Sequence, residues 1–182
     1  MNKTMSRADN SRLPRWIVLW LALSTPIVIW DALFVLLRPA SLPGQPLGFF
    51  WAFGYKLYIA VDHTYADLGN HTVEAICIVS LLEACLVALA LWKHRQEHNA
   101  LAQVLALVAT SLTGAKTVLF LLLEVCSKGQ GVGHNEIPHL ILVWLLPNIL
   151  WVLFPLAAAF RIGRNLLNQL EATPAALSAP SP

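Results

Sequence analysis

Four stretches of this sequence, residues 16–37, 72–92, 100–123 and 137–160, are apolar over about 20 residues or more. At about 1.5 Å of rise per residue, a helix over any of them crosses about 30 Å of hydrocarbon. Lipid offers no partner to backbone N–H and C=O groups, and a helix satisfies them internally, so the pattern predicts an all-α integral membrane four-helix bundle. Composition agrees, since 57% of residues are hydrophobic and only 12% are charged.

Basic residues precede the first stretch, as they precede a secretory leader. Its length, the carboxylate Asp31 within it and the lack of a small-residue cleavage pattern make it a retained span. Cys77, Cys85 and Cys126 show neither paired nor metal-type spacing and read as small apolar packing residues. Lys3, Arg7, Arg12 and Arg15 come before span one, Lys93 and Arg95 lie between spans two and three, and Arg161 and Arg164 follow span four. The positive-inside rule then puts these three regions and both termini in the cytoplasm, with 38–71 and 125–136 on the opposite face. With a net charge of +2 spread beside the spans, no nucleic-acid partner is expected.

Residues 1–15 read as a disordered cytoplasmic tail, 16–162 as one transmembrane domain, and 163–182 as a second cytoplasmic tail whose last part, 171–182, is rich in Ala, Pro and Ser. Between spans one and two, Pro39, Pro43 and Pro46 are followed by Phe49, Phe50, Trp51, Phe53, Tyr55 and Tyr58. Aromatic residues favour the headgroup boundary, so a short interfacial or re-entrant helix near 49–61 is expected.

The ionisable groups inside the spans carry the functional reading. Asp31 falls in the outer half of span one and Glu74 in the first turn of span two. Lys116 and Thr117 fall about two-thirds of the way along span three, where Thr113, Lys116, Thr117, Phe120 and Glu124 recur at helical spacing. Asn148 is at mid-depth in span four, with Trp144 and Trp151 one turn to either side. Four helices thus bring polar groups to one layer, although each charge near the bilayer centre costs roughly 2.5–3.5 kcal/mol unless paired or hydrated. Plainer readings stand beside this one: Glu74 as a solvated helix-start residue, Lys116 as the counter-charge of Asp31 or Glu74, and Glu124 as a pocket-rim or solvated group. Glu83 is half a turn out of phase with Glu74, so the two cannot face one cavity, and it reads as structural. Asp62, after the aromatic run, joins the candidate set.

His94-Arg95-Gln96-Glu97-His98 matches an inverted zinc-protease pattern by letters, but a short turn cannot present both histidines. His134 and His139 read as interfacial or pocket-rim residues, and Gly129, Gly131 and Gly133 lack the strand and helix of a phosphate cradle. Neither a metal site nor a cofactor is expected.

Trp30-Asp31-Ala32-Leu33-Phe34-Val35-Leu36-Leu37, Thr72-Val73-Glu74-Ala75-Ile76, and Pro147-Asn148-Ile149-Leu150-Trp151 followed by Pro155 resemble, in order and spacing, the emopamil-binding protein family. This is the type family of the EXPERA group, to which the sigma-2 receptor also belongs, and the resemblance covers about residues 25–160. It implies an EXPERA-like bundle and a sterol Δ8–Δ7 isomerase activity in the endoplasmic reticulum, or in the inner membrane of a bacterium. It also implies a pocket accepting sterols, related isoprenoids and cationic amphiphiles. Carried over by position, Asp31 and Glu74 become the catalytic carboxylates. Asn148 becomes a polar pocket partner and Trp151 an aromatic wall, and Trp144, Lys116, Thr117, Cys77 and Asp62 complete the candidate substrate-binding set beside them. Moving a double bond needs an acid and a base, and an apolar pocket keeps a carboxyl protonated at neutral pH. Ile27 stands where the sterol isomerase has a histidine, Cys77 where it has a hydroxyl residue, and the four-span form matches the sigma-2 receptor branch. Alternatives are a non-catalytic sterol, lipid or cationic-amphiphile binder, a membrane terpenoid cyclase or rearrangement enzyme, and an ion carrier. A homodimer is compatible with each.

Overall fold

A computed structural model describes residues 12–177. Four long helices follow one another: α1 (Arg15–Leu36), then, after a folded linker containing α2 (Ala52–Val61), α3 (His71–Arg95), α4 (Asn99–Cys126) and finally α5 (137–177). All four are long and apolar enough to cross a membrane, and no strand occurs among the described residues. Side chains such as Leu19, Leu23, Leu82, Leu122, Leu142 and Leu153 are well exposed, so the outer surface is apolar, as a lipid-facing surface must be.

Close packing runs α1 to α3, α3 to α4 and α4 to α5. Apolar burial gives little between helices in lipid, so backbones must approach closely over small residues. The seam of α4 supplies them: Ala102, Ala106, Ala109, Thr110, Thr113, Gly114 and Thr117 are all buried. A Cβ on Gly114 would come within 2.7 Å of the Leu156 side chain, so glycine sets the spacing of α4 and α5 there. At the end of the bundle near both termini, Leu13, Ile17, Leu21, Val87, Ala90, Ala158 and Ile162 join the α4 alanines in one cluster. At the other end Phe34, Val35, Trp51, Tyr55, Tyr65, Val73 and Cys77 form a second.

Both tails differ from the sequence reading where they are described. Leu13 is buried in the first cluster and Arg12 pairs with Glu97 at 2.5 Å, so 12–15 are anchored rather than loose. Helix α5 continues beyond 162 to Leu177. Ile162 and Asn165 are buried against the bundle, and good helix formers such as Leu166, Leu167, Gln169 and Leu170 carry the helix on. Residues 1–11 and 178–182 of the expected tails lie outside the described residues.

Prolines shape α1 and α5. Pro26 cannot donate to the carbonyl four residues back, and beside it the Thr25 hydroxyl donates to the Leu21 carbonyl at 2.6 Å. Before Pro147 the helix widens into a π-turn over Leu140–Leu145, which turns Trp144 inward.

The linker folds back on the bundle. The Ser41 hydroxyl donates to the Phe34 carbonyl at 2.5 Å and the Trp51 indole N–H to the Trp30 carbonyl at 2.9 Å. The helix expected near 49–61 is broken: a 3₁₀ turn covers Gly48–Trp51, and Phe53 and Gly54 have non-helical backbones, Gly54 at φ +92°, a conformation that glycine alone adopts cheaply.

Candidate functional site

Asp31 projects from α1 toward the linker, where the Tyr55 hydroxyl donates to one carboxylate oxygen and the Tyr65 hydroxyl to the other at 3.3 Å. Tyr58 packs against both tyrosines. Burial, reinforced by the Asp31 carboxylate, pushes the Tyr55 and Tyr65 phenols far above their ordinary range, and burial with Asp62 and Asp31 does the same for Tyr58. All three are therefore neutral O–H donors at any physiological pH.

Beside this carboxyl a cleft of about 310 Å³ lies between α1 and α5, lined by Ile27, Val28, Trp30, Gly54, the three tyrosines, Pro147, Asn148 and Trp151. The exposed side chains of Ile27 and Trp30 form its rim. Nearer the cluster that holds Ile17 and Leu21, Trp20 closes the same gap by stacking on Phe154 and meeting Trp151 edge-on. Asn148 donates to the Trp144 carbonyl at 2.8 Å. A volume near 300 Å³ with an apolar lining and few polar groups is typical of a small-molecule site.

A smaller chamber of about 90 Å³ adjoins the cleft, sharing Val28, Asp31, Tyr65, Asn148 and Trp151 and adding Ser80, Lys116 and Thr117. Here Lys116 Nζ lies 2.8 Å from Glu83 Oε2 and 2.7 Å from the Ser80 hydroxyl, while the Thr113 hydroxyl donates to Glu83 Oε1 at 2.6 Å. The Lys116 and Glu83 side chains are 12% and 6% exposed, so this pair is buried between α3 and α4. Beyond Val73 and Phe120, which border both spaces, lies a more polar cavity of about 510 Å³ ringed by His63, Thr64, Asp67, Asn70, Glu124 and Gln130 among others.

The structure thus brings Asp31, Asn148, Trp151, Lys116 and Thr117 together, and leaves four other candidates elsewhere. Glu74 does not line the cleft: it lies 3.3 Å from Arg38 and 2.9 Å from the His71 ring. Arg38 folds back from the end of α1, its side chain buried, and donates to the carbonyls of Val35, Tyr65 and Asp67 at 2.8–3.0 Å, so Glu74 completes a linker clasp. Cys77 packs in the aromatic cluster. Asp62 and Trp144 bind each other, indole to carboxylate at 2.9 Å, and Asp62 also accepts from the Thr64 N–H at 3.0 Å. Burial raises the Asp62 carboxyl above its ordinary value, against the lowering effect of those bonds.

Lys116 neutralises neither Asp31 nor Glu74 but Glu83. Glu124 is a loop anchor, accepting from the backbones of Gly131 and Val132 at 2.9 Å each, although it also edges the polar cavity. His134 stacks on His63 and lies 2.9 Å from the Ala60 carbonyl. The tyrosines were absent from the sequence candidates; the aromatic density of 49–65 was the one signal that pointed to them.

Compared with family models, with curated proteins and with solved structures, the chain matches none.

Proposed function

We propose that this protein is a membrane-embedded isomerase of the emopamil-binding protein type, shifting a carbon–carbon double bond in a sterol or related isoprenoid. The observation that carries the reading is a single carboxyl, Asp31, held by two neutral phenols on the wall of an aromatic-lined cleft within a span. Protonated Asp31 gives its hydrogen to one alkene carbon, whose π electrons form the new C–H bond and leave a carbocation at the other carbon. The resulting carboxylate then removes a hydrogen from the carbon on the far side of the cation, and those C–H electrons become the relocated double bond. Protons balance and no redox partner is needed. The faces of Trp151 and the tyrosines stabilise the cation. Asp31 takes both acid and base roles, because Glu74 is committed to Arg38 and His71.

In this reading the exposed Phe49, Phe50 and Phe53 seat the linker at the headgroup boundary, and both termini are cytoplasmic. A second reading, a non-catalytic binder of sterols or cationic amphiphiles, is favoured by one observation: Ile27 lies on the cleft wall where the sterol isomerase has a histidine. The two are separated by incubating the purified protein in lipid nanodiscs with sterol and isoprenoid alkenes and locating the double bond by mass spectrometry. Isomerised product is expected, with Asp31→Asn slower by about 10²–10⁴-fold and Glu74→Gln still active. Tight binding without product makes the protein a binder.

A further inference from the structure

Lys116 is unexplained by the chemistry above. A lysine within a span is costly, and an ion pair buried between two helices is no more stabilising than a well-packed apolar pair, so pairing with Glu83 alone does not account for it. The ammonium has three hydrogens. Two are directed to Ser80 and Glu83, and the same group borders the chamber that opens onto Asp31 and the cleft. The other hydroxyls of that chamber are spent as donors: Ser80 donates to the Ile76 carbonyl at 2.9 Å, Thr117 to the Thr113 carbonyl at 2.8 Å and Tyr65 to the Asp31 carboxyl at 3.3 Å. Lys116 therefore has a hydrogen to offer where few other donors remain. At 90 Å³ the chamber has room for about three water molecules, or for one small polar substituent, but not for a ring system.

We propose that Lys116 is a ligand-binding donor: the chamber receives a single ketone or hydroxyl oxygen of the lipid, while the lipid's apolar body lies in the cleft along α1 and α5. The occupant is then an oxygenated isoprenoid, not a hydrocarbon. A polar group built to meet an oxygen also discriminates strongly against an analogue lacking it, because the donor is left desolvated and unpaired. The inference rests on the lipid-pocket reading and sharpens its ligand class.

The test uses three ligands of one skeleton, cholestane, cholestanol and cholestanone, with binding to full-length protein in nanodiscs followed by tryptophan fluorescence and by quantifying co-purified ligand. The alcohol and ketone are expected to bind at least about tenfold more tightly than the hydrocarbon, as one charge-assisted hydrogen bond provides. Lys116→Met leaves Glu83 unpaired and can fail to fold, so Lys116→Met/Glu83→Leu, which removes both charges, is measured beside it. Its preference should fall to within about threefold, well below the worth of one such bond. Equal binding of all three ligands to the unmodified protein overturns this inference and leaves the pocket reading intact. So does a preference that survives in the double variant. Binding of none of them overturns both.

Discussion

The Lys116–Glu83 pair gives the sharpest test of how the bundle is held. At 2.8 Å, and with an effective dielectric constant near 20, its gross Coulomb attraction is about 6 kcal/mol. Withdrawing both groups from water costs a comparable amount, so the intact pair is worth little more than an apolar pair of equal volume. Removing one partner is different. Glu83→Gln strands a buried ammonium, and Lys116→Met strands a carboxylate that keeps only its Thr113 bond. Each single change should cost about 3–5 kcal/mol, whereas the double replacement Lys116→Met/Glu83→Leu should cost less than either, a coupling of about 3 kcal/mol or more. Equilibrium unfolding in mixed micelles, titrated with a denaturing detergent and followed by tryptophan fluorescence, measures all three. Single changes that cost under about 1 kcal/mol, or a double change equal to the sum of the singles, would refute the claim that these charges are desolvated together.

Three further outcomes follow from the loops and helix contacts. Arg38→Ala removes the clasp on the Val35, Tyr65 and Asp67 carbonyls, and should cost about 3 kcal/mol and expose 62–70 to limited proteolysis. Because burial raises the folded-state carboxyl of Asp62, the folded chain keeps this proton over a pH range in which the unfolded chain, near 3.8, has lost it. Stability should therefore fall as pH rises from that value through the folded one, and Asp62→Asn should flatten that part of a thermal-shift profile. Gly114→Val places new atoms against Leu156 and should cost about 1–3 kcal/mol by the same micelle titration, with Gly114→Ala costing less.

The spans were legible because their signal is local: about 20 apolar residues identify a helix whatever surrounds it. Asp31, Asn148 and Trp151 were legible for a related reason, since depth along a helix follows from counting residues. Counting does not reveal the partner. Glu74 and Lys116 fall in the same layer as Asp31, yet Glu74 turns to Arg38, brought round by the linker, and Lys116 turns across the α3–α4 seam to Glu83. Their rotation about the helix axis is set by small-residue packing, which leaves only a faint mark in an almost uniformly apolar sequence. The tyrosines were the hardest to foresee. Tyr55 and Tyr65 reach Asp31 only because the backbone leaves helical geometry at Phe53 and Gly54 and the segment folds back, and no periodic pattern encodes that path.

The gap between α1 and α5 has a kinetic corollary. Its rim is formed by exposed Ile27 and Trp30 on the apolar flank of the protein rather than at a watery end. An occupant arriving by that flank is counted as a mole fraction of the surrounding lipid, not as a molarity. Apparent half-saturation would then shift with the amount of bilayer at fixed total ligand, and diluting the buffer alone would leave occupancy unchanged.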